Sequence, residues 1–225
     1  MKTEKPTFAV IFDVDGTMVN NTAFHRDAWL ALTAKHGLNF TERDYHERIH
    51  ARSNDKIVRN LFGDHAPAEL IQQIADEKET LYRTSFAPHL KEIPGLRRLL
   101  EDLQAAGIPC GAASNSPTEN VYFVLNGLNI RRFFKTAINR DMLIVGKPDP
   151  EGLLRAAAEL GLPPEKCLVF EDSSSGFKAC RNAGMKYVAI TIGTDPAELP
   201  EAADALIQVP DYTSLTAARL AGFFE

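Results

Sequence analysis

Two carboxylates separated by one residue stand in Asp13-Val14-Asp15-Gly16-Thr17, directly after the apolar run Thr7-Phe8-Ala9-Val10-Ile11-Phe12. In an extended segment, residues i and i+2 point to the same side. One acid can then attack phosphorus as a nucleophile while the other gives and takes a proton. Gly16 permits a tight turn away from the strand, and Thr17 offers a hydroxyl to a carboxylate or a phosphoryl oxygen.

Three further groupings share this character. Ser114, in Gly111-Ala112-Ala113-Ser114-Asn115-Ser116-Pro117, ends an apolar run immediately before a helix. A hydroxyl and backbone N–H groups at a helix start can hold an anion, with Asn115 a further candidate for substrate binding. Ser116 before Pro117 reads as the N-cap of that helix. Lys147 leads Lys147-Pro148-Asp149-Pro150, where two prolines stiffen the approach of an ammonium that could neutralise a phosphoryl group and a carboxylate together. Glu171-Asp172-Ser173 follows Cys167-Leu168-Val169-Phe170. Acids converging there with Asp13 and Asp15 would repel one another without a cation, and hard oxygen ligands beside a phosphate select Mg²⁺. Asp172 alone also reads as a helix N-cap, which leaves Glu171 unexplained.

The elements that must position these groups alternate regularly. Short apolar runs at 7–12, 108–113, 136–138, 167–170 and 187–192 read as strands buried on both faces. Between the later runs lie amphipathic helices. One follows Pro94-Gly95 and is closed by Gly107, one runs from Pro117 to about Leu128, one from Pro150 to Gly161, and one from about Ser174 to Gly184. This alternation predicts a doubly wound parallel α/β sheet, with the chemical groups at the carboxyl ends of four strands, where ligands bind in such sheets. The rhythm breaks between residues 22 and 87, where four amphipathic helices (23–36, 42–49, 54–62 and 67–86) and no strand are expected. Such a stretch is too long for a connection and reads as an inserted helical-bundle domain. The expected division is 1–20 with 88–225 for the α/β core and 21–87 for the insertion.

Composition excludes several classes of protein. With 25 basic and 30 acidic residues in 225, and a net charge of −5, the chain lacks the basic stripe that nucleic-acid binding requires. No apolar run approaches the roughly 20 residues that span a bilayer. The polar start Met1-Lys2-Thr3-Glu4-Lys5-Pro6 does not read as a signal peptide. Cys110, Cys167 and Cys180 are odd in number and widely spaced, which points to reduced, buried thiols and a cytoplasmic protein.

Together, the four groupings resemble the four sequence motifs of the haloacid dehalogenase superfamily. The stretch from Leu168 to Met185 is similar to the fourth motif of the subgroup that contains β-phosphoglucomutase and small-metabolite phosphatases. The helical insertion resembles that superfamily's C1 cap. The resemblance implies that Asp13 is the nucleophile and forms an aspartyl-phosphate, that Asp15 is general acid and then base, and that Ser114 and Lys147 hold the phosphoryl oxygens. It implies that Mg²⁺ is bound by Asp13, the backbone carbonyl of Asp15 and Asp172, with Glu171 a ligand or a support behind them. Thr17 joins Asn115 among the candidate substrate contacts. In the cap, His25, Arg52 and Lys78 resemble substrate contacts of β-phosphoglucomutase, while Asn20 stands where the family commonly carries Asp. The expected activity is hydrolysis of a small phosphorylated metabolite, a sugar phosphate, by a monomer or weak homodimer. The alternatives are a β-phosphoglucomutase-type phosphosugar mutase and, more remotely, a non-catalytic regulatory binding protein of the same fold. The intact Asp13, Asp15, Lys147 and Asp172 argue against the last.

Overall fold

The computed structural model describes residues 6–38, 40–49, 54–192 and 199–225. Arg52 and its neighbours therefore lie outside the described residues. The chain divides into two compact units, 1–20 with 91–225 and 21–90.

The larger unit begins with β1 (Ala9–Phe12), whose four residues are all buried. A strand apolar at every position must be covered on both faces, and this one is. On one side, Ala9 and Ile11 join a cluster with Leu153, Ala157, Phe177 and Cys180. On the other, Phe12 stacks on Phe170 at 4.9 Å between ring centroids and meets Phe134 edge-on at 5.8 Å. Each fully buried side chain of this size contributes about 1.5–3 kcal/mol relative to exposure.

The helical unit comes next in the chain. It comprises α1 (Thr22–Lys35), α2 (Glu42–Arg48), α3 (Asn54–Phe62) and α4 (Ala68–Phe86). Its core gathers Trp29, Leu32, Tyr45, Ile49, Ile57, Val58 and Ile74, taken from all four helices and the residue that closes α2. Thr41 and Asp44 start α2 with a reciprocal capping box.

The α/β unit then resumes with α5 (Leu96–Ala105), which buries Leu96, Leu99, Leu100 and Leu103, the i, i+3, i+4, i+7 stripe of a surface helix. There follow β2 (Cys110–Ala113), α6 (Thr118–Gly127), β3 (Phe134–Ile138), α7 (Glu151–Leu160), β4 (Cys167–Glu171), α8 (Ser174–Ala183) and β5 (Lys186–Ile190). The chain ends with β6 (Gln208–Val209) and α9 (Ala217–Ala221). The described strands form one parallel sheet in the order β3-β2-β1-β4-β5-β6. This is the expected doubly wound fold. No pattern in the chain marks β6, whose two residues are too few to carry a period.

Register decides what meets at the strand tips. Phe12 pairs with Ala112 on one side and Phe170 on the other, so Asp13 emerges beside Glu171, with Ser114 one residue further along β2. The Asp13 N–H donates to the Phe170 carbonyl at 2.9 Å, which continues the ladder one step past the strand. Order reversal around β1 makes this the switch point where such sheets bind ligands.

Candidate active site

A cavity of about 190 Å³ opens at this end of the α/β unit, lined by Asp13, Asp15, Ser114, Asn115, Ser116, Lys147, Glu171, Asp172, Ser173 and Ser175. Residues from all four sequence groupings thus converge there. A larger cavity of about 290 Å³ lies at the opposite ends of β2 and β3, among residues such as Ile108, Arg132 and Phe134, and no carboxylate lines it.

Lys147 ties the site together. Its Nζ donates to Asp13 Oδ1 at 2.6 Å and to Glu171 Oε1 at 2.9 Å, with all three side chains more than nine-tenths buried. Burial alone would push the ammonium's pKa down. The charges of Asp13 and Glu171 outweigh it, and the net shift is upward, so Lys147 stays charged. The loop carrying it is pinned at several points. Asn115 accepts from the Lys147 N–H at 2.9 Å and donates to the Lys147 carbonyl at 3.2 Å. Asn182 donates to the Pro148 carbonyl at 3.0 Å. Upstream, the Glu151 carboxylate accepts the N–H of Ile144 at 3.0 Å and of Val145 at 2.8 Å.

The acids are arranged unequally. Glu171 is 1 % exposed, and its other oxygen accepts the Asp172 N–H at 2.9 Å. Asp172 is half-buried, and its Oδ1 accepts from Thr17 Oγ1 at 3.0 Å. Two glycines make room for this pair. A Cβ at Gly176 would lie 1.5 Å from Glu171 Oε1, and one at Gly16, where φ is +75°, would lie 1.9 Å from Asp172 Oδ2. Desolvation, reinforced by the charge of Glu171, holds both Asp13 and Asp172 well above the ordinary carboxylate range.

Four carboxylates face one lysine around the cavity, and ligand oxygens from Asp13, Glu171 and Asp172 lie within 4.8 Å of one another. Converging, partly desolvated acids with too little positive charge are what a hard divalent cation would stabilise. The donor set therefore fits a metal ion.

Other candidates take different places. Asp15 is half-buried and accepts a short hydrogen bond from Ser116 Oγ. Ser116 is thus not the N-cap of α6. Pro117 occupies that position without a side-chain bond, and Asp141 takes the Thr118 N–H at 2.9 Å instead. Likewise Ser173, not Asp172, caps α8, its Oγ accepting the Gly176 N–H at 3.1 Å. Ser114 is buried, and its Oγ accepts from the Ser116 N–H at 3.0 Å. Thr17 is fully buried and does not line the cavity, and its hydroxyl serves a carboxylate. The Tyr212 hydroxyl supports this turn from below through the Thr17 carbonyl at 2.9 Å. The three cysteines are free and buried, with burial raising the Cys110 thiol to about 12.

In the helical unit, Lys78 is not the solvated charge that most lysines are. It is 4 % exposed, and its Nζ lies 2.8 Å from His25 Nδ1 and 3.0 Å from Glu79 Oε1. His25 is half-buried and stacks on Tyr82 at 3.8 Å between centroids. Asn20 is exposed, whereas Asn21 is fully buried and donates to Tyr82 OH at 2.6 Å.

No helix among the described residues is long and apolar enough to cross a membrane. The model of the haloacid dehalogenase-like hydrolase family matches residues 9–184. The chain is 27% identical over 201 residues to validoxylamine A 7'-phosphate phosphatase of Streptomyces hygroscopicus subsp. limoneus, covering 88% of this chain and 92% of that protein. It is 32% identical over 196 residues to β-phosphoglucomutase of Bacillus subtilis, covering 82% and 84%. The crystal structure of a HAD hydrolase, family IA, variant 3, from Entamoeba histolytica superposes with a TM-score of 0.87 at 26% identity, covering 96% of this chain and 99% of that one. With the family model spanning all four chemical groupings on the matching fold, the chain belongs to the haloacid dehalogenase-like hydrolases and is a phosphoryl-transfer enzyme of that type.

Proposed function

We propose that the chain is a Mg²⁺-dependent phosphohydrolase that removes phosphate from a small phosphorylated metabolite, a sugar phosphate, through an aspartyl-phosphate on Asp13. The observation that carries this reading is the placement of the Asp13 carboxylate beside the Lys147 ammonium in a cavity that also holds Asp15.

Asp13 attacks phosphorus, the bond to the ester oxygen breaks, and the leaving oxygen takes a proton from Asp15. Asp15 then takes a proton from water as that water attacks the aspartyl-phosphate, which releases inorganic phosphate and restores both acids. Ser116 holds the Asp15 carboxylate in place through its hydroxyl. Lys147 keeps Asp13 aligned and offsets charge on the phosphoryl oxygens, with Ser114 at the same oxygens. Asp13, Asp172 and the Asp15 carbonyl would hold Mg²⁺, and Glu171, with both oxygens engaged by Lys147 and the Asp172 N–H, supports them from behind. When bound, Mg²⁺ supplies charge neutralisation to phosphate and carboxylates alike.

The reading is tested by measuring phosphate release from an aryl phosphate and a panel of phosphorylated metabolites. Absence of Mg²⁺-dependent release from all of them refutes it. The 32% identity to a β-phosphoglucomutase favours a second reading, in which a sugar hydroxyl replaces water. Efficient formation of glucose 6-phosphate from β-glucose 1-phosphate, with a trace of the 1,6-bisphosphate, would select that one. Cytoplasmic location and a monomer or weak homodimer complete the proposal.

A further inference from the structure

Tyr212 lies in the segment between β6 and α9, is fully buried, and belongs to none of the four chemical groupings. Its ring packs on Phe12 and Phe170, the residues directly before Asp13 and Glu171. It meets Phe170 edge-on at 5.1 Å between centroids and lies tilted against Phe12 at 6.1 Å. A phenylalanine would fill that apolar place without a hydroxyl that burial obliges to find a partner. The hydroxyl donates to the Thr17 carbonyl at 2.9 Å, and Thr17 Oγ1 donates to Asp172 Oδ1 at 3.0 Å. The phenol is thus two hydrogen bonds from an acid of the candidate metal site. Tyr212 is itself held in place. Its N–H donates to the Pro94 carbonyl at 2.9 Å. Its backbone passes so close to Gly95 that a Cβ there would lie 2.7 Å from the Tyr212 carbonyl carbon. The next carbonyl of the turn, that of Met18, accepts the Ile93 N–H at 2.9 Å. Two segments distant in sequence therefore anchor consecutive peptides of the turn, and swinging Thr17 Oγ1 away from Asp172 strains both anchors.

We propose that Tyr212 is a positioning residue for the metal site: by anchoring the Thr17 carbonyl it keeps the Thr17 hydroxyl on Asp172 and so orients that carboxylate for Mg²⁺. The inference deepens the proposed function by naming what holds one of its metal ligands, and it rests on the metal assignment made there. A carboxylate oriented before the ion arrives loses less freedom on binding, and groups that hold a ligand from behind commonly carry roughly 10–100-fold of metal affinity. Tyr212 stands one hydrogen bond further back than such a group, so its hydroxyl is expected to carry about fivefold.

The experiment measures Mg²⁺ binding through the gain in thermal stability as Mg²⁺ is added, in wild type, Tyr212→Phe, Thr17→Val and the double variant. Tyr212→Phe should raise the apparent Kd for Mg²⁺ about fivefold or more. The Mg²⁺ concentration for half-maximal aryl phosphate turnover should rise by the same factor. In the Thr17→Val background the same replacement should raise Kd by less than about twofold, because the path to Asp172 is already cut. A merely structural tyrosine would lower the melting temperature and leave the Mg²⁺ Kd unmoved, or would weaken Mg²⁺ equally in both backgrounds. Either result overturns the proposal. Should Tyr212→Phe fail to fold, the Tyr212 ring resonances are followed in wild type and Thr17→Val up to saturating Mg²⁺. A shift in wild type that is lost in Thr17→Val supports the proposal, and no shift in wild type overturns it. If wild type binds Mg²⁺ yet releases phosphate from no ester, the phosphohydrolase reading fails and the proposal is judged on Mg²⁺ binding alone. If the melting of wild type does not respond to Mg²⁺, the metal assignment falls and the proposal with it.

Discussion

Substituting Gly176 by alanine tests how the acids are held, without replacing any group placed in the chemistry. The added Cβ would lie 1.5 Å from Oε1, 1.9 Å from Cδ and 2.3 Å from Cγ of Glu171. Glu171 is almost fully buried, so it has no solvent to retreat into and must leave its seat or push α8 aside. Overpacking of this kind costs about 1–3 kcal/mol. In a protein of this size that lowers Tm by about 2–12 °C. Displacing Glu171 also removes one of the two carboxylates on Lys147, a charge-assisted hydrogen bond of about 1.5–3 kcal/mol. If that alignment is lost in the transition state, kcat falls about tenfold to 150-fold. The assays are thermal melting and aryl phosphate turnover, completed by Glu171→Ala and the double variant. Removing the glutamate relieves the clash, so the cycle should show a favourable coupling of at least about 1 kcal/mol in stability, while turnover stays low. A Gly176→Ala protein with wild-type Tm and kcat, or a cycle that is simply additive, would refute this account of the site.

Asp13→Asn keeps the shape of the nucleophile without its charge and should reduce turnover by several orders of magnitude, with deamidation excluded by mass spectrometry. Chelation should abolish activity and Mg²⁺ restore it, with Ca²⁺ a poor substitute because of its larger, looser shell; undiminished turnover after exhaustive chelation contradicts the metal assignment. Asp172→Ala should raise the Mg²⁺ concentration for half-maximal activity while the circular dichroism spectrum is retained. The Val145 and Ile144 N–H groups hold the Glu151 carboxyl below its usual 4.5, so its contribution is present at neutral pH and is lost as pH falls below 4.5 through the lower folded value. Amide exchange at Ile144 and Val145, corrected for its intrinsic pH dependence, should therefore accelerate over that interval, and Glu151→Gln should remove the transition.

What could be read from the chain depended on how local each signal was. A strand apolar at every position, such as Ala9–Phe12, can only be satisfied by cover on both faces, so sequence alone implied the parallel sheet and its helical layers. The Leu96, Leu99, Leu100, Leu103 stripe and the long strandless insertion were legible for the same reason, since periodicity is a property of neighbours in the chain. The two residues of β6 offered no such period. Asp13, Asp15, Ser114, Lys147, Glu171 and Asp172 stood out because each follows or leads a structural boundary. Their mutual distances did not, because they depend on the pairing of Phe12 with Phe170 and of Phe12 with Ala112. Ser116 shows the difference. Next to Pro117 it reads as a helix cap, yet its hydroxyl serves Asp15, 101 positions away. Lys78 stood out in the sequence only through its resemblance to a substrate contact, and nothing in its neighbours marked it as buried. Only packing of α4 against α1 and α3 buries its ammonium, and a buried charge must find partners, which here are Glu79 and His25. Sequence determined which groups could do chemistry and which faces had to be buried, because both are short-range properties of residue type and spacing. Tertiary structure alone decided which of those groups meet and which are spent on one another, because that follows from strand register and helix packing between distant segments.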